Sequence, residues 1–370
     1  MKKNDVAILD FGSLGVTAMV GERGVNKTFV IKGESFFKYD GFADGRFFNE
    51  EKLVEILNEA TQEIKKIMRT LPNTIFVGVP GAFTTVSVKD GRISFAKKKK
   101  ITEEDVDMLF DAAFKMSSKE KTLINRSAIL YELDDHRRLA NPVGVTCEVL
   151  KGKLSFIECD NYFIDSVVPT LKSAGFKNVE CVSSPLATAL YLLPPETRDR
   201  VSFIADVGYI TTTVSVIQGD GIIYQRTFDY GGGYITAALT ERLDVDFDVA
   251  ESIKRKINLC TLRSDGVYDL IDATNGNYFD AEEVKSIVKE SLDVLCEEIS
   301  NFLEQAEFVL PEYVPLSITG GGIAYIRGAK EHVSGRLNMA VEVLAPSVPL
   351  MDKPIRSSIL SLLDLAINQQ

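Results

Sequence analysis

Histidine is nearly missing from this chain, with only His136 and His332 among 370 residues. Each stands alone, which excludes a structural zinc site of the usual Cys/His spacing. The five cysteines are odd in number, widely spaced and without a CxxC pair. They read as reduced core fillers rather than a disulfide framework. Positive charge is also in deficit: 42 Lys and Arg against 53 Asp and Glu leave a formal net charge of −11. A protein that displaces counterions from nucleic-acid phosphates needs the opposite balance, so no nucleic-acid partner is expected. No window approaches the roughly 20 apolar residues of a membrane span. The N-terminus, Met1-Lys2-Lys3-Asn4-Asp5, enters its first strand without the apolar core of a signal peptide. A cytoplasmic protein is expected.

What is present begins with a repeated pattern. Asp10-Phe11-Gly12-Ser13-Leu14-Gly15 and Asp206-Val207-Gly208-Tyr209-Ile210-Thr211-Thr212 each follow a short apolar run. A strand that ends in Asp and turns through Gly presents backbone amides to phosphate oxygens, and its carboxylate can organise a hydrated Mg²⁺. Two such hairpins imply a nucleotide clamped between related halves. A chain of this length should also divide into two or more domains.

Periodicity predicts the elements around these hairpins. The first half opens as an antiparallel meander, followed by a helix over 49–70 and a buried strand over 74–79. From about Ala82 to Ile164 the rhythm changes, which marks an inserted unit. It is predicted to hold a strand over 83–88, a turn at Asp90-Gly91 and a helix beginning at Thr102, then strands over 128–133, 143–150 and 153–159. Thr102 with Asp105 reads as a helix N-cap. The run Lys97-Lys98-Lys99-Lys100 reads as a solvated turn ahead of a partner-binding patch. A helix over 185–193 should cross beneath the cleft before a second meander. Two further helices, a hairpin around Asn275-Gly276, a long helix over 280–308, a strand over 315–319 and a last core helix over 355–367 complete the reading.

The order of these signals resembles the actin, Hsp70 and sugar-kinase superfamily, and within it the bacterial cell-division protein FtsA. The resemblance rests on Asn141-Pro142-Val143-Gly144, Ala174-Gly175-Phe176, Pro185-Leu186-Ala187-Thr188-Ala189, Gly231-Gly232-Gly233-Tyr234-Ile235-Thr236 and Thr319-Gly320-Gly321-Gly322. It implies an α/β actin-like ATPase fold: two ribonuclease-H-like halves around a nucleotide cleft, with an FtsA-type inserted α+β subdomain. The divisions expected are 1–81 with 165–197 for the first half, 82–164 for the insert, 198–236 with 309–370 for the second half, and 237–308 for its outer subdomain.

The resemblance further implies ATP and Mg as cofactors. Asp10 and Asp206 would hold Mg through water. Gly12, Ser13, Gly208, Thr211 and Thr212 would hold phosphates, while Gly231, Gly232, Glu251, Lys254, Gly320, Gly321, Gly322 and Ile323 would surround ribose and adenine. Glycine among these is expected to leave room for the base and sugar. Implied partners are the C-terminal tail of FtsZ on the outer subdomain, other copies of the chain in a filament, and division proteins at the insert. Lys285 and Lys289 could face the tail together. Membrane association at the septum would be indirect or through a segment beyond Gln370.

Departures from the family pattern temper the expected activity. Tyr209 and Ile210 replace two glycines, Thr213 replaces a second Asp, and Leu14-Gly15 stand where Ser-Lys is common. Ser184 occupies the position just before the cross-over proline where many relatives have an acidic residue that orients the attacking water. An ATP-binding scaffold with slow or no hydrolysis is therefore expected. Two alternatives stay open: a PilM-type pilus-assembly ATPase of similar fold and length, and a small-molecule kinase of the same superfamily with Asp206 as its base.

Overall fold

A computed structural model describes residues 5–25, 28–116, 118–261, 270–273, 277–306, 310–311 and 313–369. The first half begins with β1 (Val6–Phe11), β2 (Gly15–Arg23) and β3 (Phe29–Lys38). A small hairpin of β4 (Phe42–Ala43) and β5 (Arg46–Phe47) leads to α1 (Glu50–Met68) and β6 (Thr74–Val79). Asn49 caps α1 by accepting a hydrogen bond from the Lys52 amide, which satisfies one of the orphan donors at the helix start.

The insert comprises β7 (Thr84–Lys100), α2 (Glu103–Ala113), β8 (Lys121–Leu133), β9 (Arg138–Leu139) and β10 (Thr146–Asp160). Thr102 and Asp105 form the full capping box at α2. The turn predicted at Asp90-Gly91 is absent, because β7 runs straight through it and pairs with β10 along its length. Gly91 is needed there for packing: a Cβ would sit 3.0 Å from a methyl of Leu109. The strands predicted over 143–150 and 153–159 are likewise one strand, β10. The four lysines lie on the end of β7 rather than in a turn, and Lys99 is paired with the buried Asp105 at 2.8 Å.

The chain returns through α3 (Asn161–Ser173), β11 (Asn178–Ser183), α4 (Ser184–Leu192) and α5 (Pro195–Arg198). The second half follows with β12 (Val201–Val207), β13 (Thr212–Gln218), β14 (Gly221–Phe228), α6 (Gly232–Leu243) and α7 (Phe247–Lys256). Its outer part adds β15 (Leu270–Ala273), β16 (Asn277–Asp280) and α8 (Ala281–Gln305). Strands β15 and β16 pair antiparallel, while the turn predicted at Asn275-Gly276 lies outside the described residues. The last elements are β17 (Leu316–Thr319), α9 (Ala329–Leu337), β18 (Val341–Val343) and α10 (Ser357–Asn368).

The two large sheets have the same topology. Their orders are β11-β6-β1-β2-β3 and β18-β17-β12-β13-β14, with the same parallel and antiparallel pairings. Asp10 and Asp206 fall at corresponding points near the ends of the equivalent strands β1 and β12. The symmetry explains how one short pattern, written twice, builds both sides of a cleft.

One element changes sides. The last helix, assigned from sequence to the second half with 309–370, packs its Ile359, Leu360, Leu362 and Leu363 against Val6, Ile8 and Met19 of the first sheet. Its apolar face fits there because α1 and α3 cover only the other face of that sheet. A further buried cluster joins Ile157 of the insert, Leu186 and Ala189 of α4, and Ile204, Ile217 and Ile222 of the second half. The insert also touches the second half through the β13–β14 turn, where the Asp220 amide donates to the Ala128 carbonyl at 3.1 Å.

Candidate functional site

Each hairpin closes in the same way. The Gly12 amide donates to the Gly15 carbonyl at 3.0 Å, and the Gly208 amide donates to the Thr211 carbonyl at 2.9 Å. Those two amides are therefore engaged inside their own hairpins. The hairpins also meet each other: the Ile210 amide donates to Ser13 Oγ at 2.9 Å. Between and around them lies a cleft of about 400 Å³ lined by both hairpins, α7 and the Gly320–Gly322 turn. That volume falls within the range of small-molecule sites, roughly 300–1,000 Å³.

The two aspartates both line this cleft. Burial lifts the Asp10 carboxyl to about 7; the charge of Asp206 adds to this, and a 2.7 Å hydrogen bond from Ser358 Oγ opposes it. Burial alone lifts Asp206 to about 6. Two desolvated carboxylates beside each other constitute an environment that a divalent cation would stabilise. Among the described residues no group of three or more His, Cys, Asp or Glu side chains forms a dedicated metal cage. The donor set thus fits Mg²⁺ held through water and completed by phosphate oxygens. Ser184 also lines the cleft; its Oγ is buried on the Gly78 side, with no hydrogen-bond partner among the described residues.

The opposite wall is an ionic knot. Lys254 is 1% exposed, and its Nζ donates to Glu251 Oε2 at 2.6 Å, Thr236 Oγ1 at 2.7 Å and the Gly232 carbonyl at 2.8 Å. Burial pulls the Lys254 ammonium below the usual lysine range, against the opposing pull of Glu251. On Glu251 burial raises the carboxyl, but hydrogen bonds from Lys254, Thr236 and Arg255 outweigh it and hold the group ionised. This knot pins the start of α6 to α7. Tyr209 and Phe247 meet edge to face nearby, with ring centroids 6.4 Å apart, and Tyr325 donates to Glu251 Oε1 at 3.3 Å.

Of the residues named from sequence, the cleft gathers Asp10, Gly12, Ser13, Asp206, Gly208, Thr211, Glu251, Lys254, Gly320, Gly321 and Gly322. Thr212 is not among them, because its hydroxyl turns away and donates to the Tyr230 carbonyl at 2.6 Å; Thr213 takes its place. Ile323 is buried in the second core, and Gly231 and Gly232 lie behind the cleft surface. The reason for the glycines also differs from expectation. A Cβ on Gly231 would sit 2.6 Å from the Gly208 carbonyl oxygen, and one on Gly232 would sit 2.4 Å from that of Gly322. These residues let three loops stack on one another, rather than making space for a base. Gly320 alone combines a left-handed φ of +90° with a Cβ position 2.3 Å from Asp206 Oδ1.

Sequence reasoning missed Phe36, Lys38 and Ser358, all cleft-lining. Their signal was three-dimensional: β3 is set by its pairing with β2, and α10 arrives from the far end of the chain. The pair Lys285 and Lys289 does not form a common face, since Lys285 is buried and bound to Glu282 Oε1 and the Thr261 carbonyl, each at 2.7 Å.

Comparison with known proteins agrees with the duplicated fold. Residues 81–157 match the model of the SHS2 domain inserted in FtsA, and residues 163–267 match that of the type IV pilus assembly protein PilM. The chain is similar to FtsA over most of its length. It is 20% identical to the cell division protein FtsA of Neisseria meningitidis, covering 92% of this chain and 84% of that one. It is 21% identical to FtsA of Enterococcus hirae over 97% and 82% of the two chains. Among solved structures, a PilM-PilN type IV pilus biogenesis complex superposes with a TM-score of 0.66 at 15% identity, covering 99% of each chain. MreB5 of Spiroplasma citri bound to ADP gives 0.56 at 13%, over 99% and 97%. The fold is actin-like, with an FtsA-type insert in its first half.

Proposed function

We propose that this protein is a nucleotide-binding, actin-like scaffold of bacterial cell division that polymerises and links the FtsZ ring to the membrane or to other division proteins. The observation that carries the reading is the joint match to FtsA, in the insert and over nearly the whole chain. The site geometry supports the nucleotide. Asp10 and Asp206 would hold hydrated Mg²⁺ through water, with Thr211 and Ser13 hydroxyls directed to phosphate. When bound, the cation would neutralise phosphate charge. The chain's own residues orient and enclose the ligand. With Ser184 in place of a water-orienting carboxylate, ATP is bound and released more often than it is split.

The partner side of the proposal is a peptide tail of FtsZ on the outer subdomain of α6, α7 and α8. With Lys285 internally paired, that tail would have to be met by other residues. A PilM-type role is the second reading, favoured by the family match at residues 163–267 and by the TM-score of 0.66. The test is co-sedimentation of the full chain, with Mg-ATP, against an FtsZ tail peptide and against the N-terminal peptide of a pilus membrane protein. Saturable binding to the first alone supports the division role. Binding to the second alone replaces it with the pilus role.

A further inference from the structure

Neither phosphate-facing hairpin carries a cation. Residues 10–15 read Asp-Phe-Gly-Ser-Leu-Gly and residues 206–213 read Asp-Val-Gly-Tyr-Ile-Thr-Thr-Thr. The cleft they line already contains Asp10, Asp206, Asp248 and Glu251. A polyphosphate entering such a site meets a surplus of negative charge and needs a positive group of the protein in addition to its own metal ion.

Three basic side chains line the cleft: Lys38, Lys254 and Arg255. Lys254 is fully engaged in the knot described above. Arg255 Nε is paired with Glu251 Oε1 at 2.9 Å. Lys38 is exposed and, among the described residues, makes neither an ion pair nor a hydrogen bond through its ammonium. It stands at the last position of β3, directly opposite Gly15 in the β2–β3 register. Its backbone is thus anchored at the base of the first hairpin.

Phe36 lies two residues earlier on the same face of β3, since side chains alternate along a strand. Half of it is exposed, and its ring covers Gly15 so closely that a Cβ there would fall 2.4 Å from the ring. Position 15 is therefore barred to any longer side chain, including a basic one. The next place from which a cation can reach the hairpin is the neighbouring strand, where Lys38 is found.

We propose that Lys38 is the phosphate-binding cation of this cleft, recognising the terminal phosphates of a nucleoside di- or triphosphate, with Phe36 forming the apolar floor beneath them. The inference rests on the nucleotide-binding reading above and adds a residue to it.

The experiment is calorimetric titration of the full chain with Mg-ATP, Mg-ADP and AMP, at two salt concentrations. Wild type, Lys38→Ala, Lys38→Arg and the remote control Lys98→Ala would be compared, with thermal melts checking that each is folded. Lys38→Ala should weaken Mg-ATP and Mg-ADP roughly tenfold or more, the scale of a charged hydrogen bond. It should leave AMP within about twofold and flatten the salt dependence. Lys38→Arg should recover most of the affinity, and Lys98→Ala should match wild type. If wild type binds Mg-ATP and Lys38→Ala binds it equally well, Lys38 has no such role and the proposal falls while the nucleotide reading stands. If wild type binds none of the three, the nucleotide reading falls and takes this inference with it.

Discussion

Ser13 and Ile210, 197 residues apart in sequence, join the two halves by a single 2.9 Å hydrogen bond between hydroxyl and amide. The same hydroxyl is a candidate phosphate ligand, so it has two claims on it. Ser13→Ala should loosen the second hairpin in the free protein. Hydrogen exchange at the Ile210 amide is expected to rise about 2–10-fold, the worth of one neutral hydrogen bond. Unchanged exchange would show that the loops are held together by other contacts.

The raised carboxyls give a pH prediction with a definite sign. Asp10 and Asp206 move from their ordinary value of 3.8 to about 7 and about 6 in the folded chain. Between those limits the folded state holds more protons than the unfolded one. These groups therefore support the free protein fully below about pH 4 and withdraw that support as pH climbs through 6 to 7. Asp10→Asn should melt above wild type at pH 8, each kcal/mol being worth about 2 °C or less in a chain of this size, and the gap should shrink as pH falls and close below about pH 4. Mg-nucleotide affinity should run the other way, tightening from pH 5.5 to pH 8 as both carboxyls ionise. Calorimetry across this range checks both trends.

Gly320 combines a backbone conformation costly for other residues with a position where a Cβ would fall 2.3 Å from Asp206 Oδ1. Gly320→Ala is expected to cost about 1–3 kcal/mol from the backbone alone and to reduce Mg-nucleotide binding by displacing the Asp206 carboxylate. Gly335, in α9, faces open space. Gly335→Ala should instead stabilise the protein by about 0.5–1 kcal/mol. Denaturant melts of the pair separate a structural glycine from a dispensable one.

Ser184 begins α4, lines the cleft, and leaves its hydroxyl without a partner among the described residues. Wild-type ATP turnover should fall far below the roughly 1–100 s⁻¹ of kinases. Ser184→Glu should raise it by about tenfold or more if a carboxylate there can orient water. A wild-type rate already in the kinase range would refute the scaffold-like character.

Local patterns were the most legible part of the fold. The Thr102 cap, the periodicity of α1 and the two Asp-x-Gly turns are encoded within a few residues, and the structure contains each. Less legible was anything decided by contacts distant in sequence. Asp90-Gly91 has turn composition, yet pairing with β10 extends it into a strand. Lys285 lies on a helix face balanced by acids, and only the approach of the Thr261 carbonyl reveals it as buried. Thr211 and Thr212 look equivalent in sequence, but Thr211 sits in the hairpin turn lining the cleft, whereas Thr212 opens β13 and sends its hydroxyl to the Tyr230 carbonyl. The helix α10 had the right apolar spacing and the wrong address, because periodicity records that a face is buried without recording against what.

The long strand β10 ends at Asp160, whose side chain caps α3 in the first half, while Ser155, five residues earlier, donates to the Ile222 carbonyl of the second at 2.6 Å. Fifteen residues at about 3.3 Å each make it some 50 Å long. One long strand is thus anchored to both jaws near one end. Any small change in the angle between the jaws would be magnified into travel at the distant tip of the insert, where a neighbouring molecule could register it.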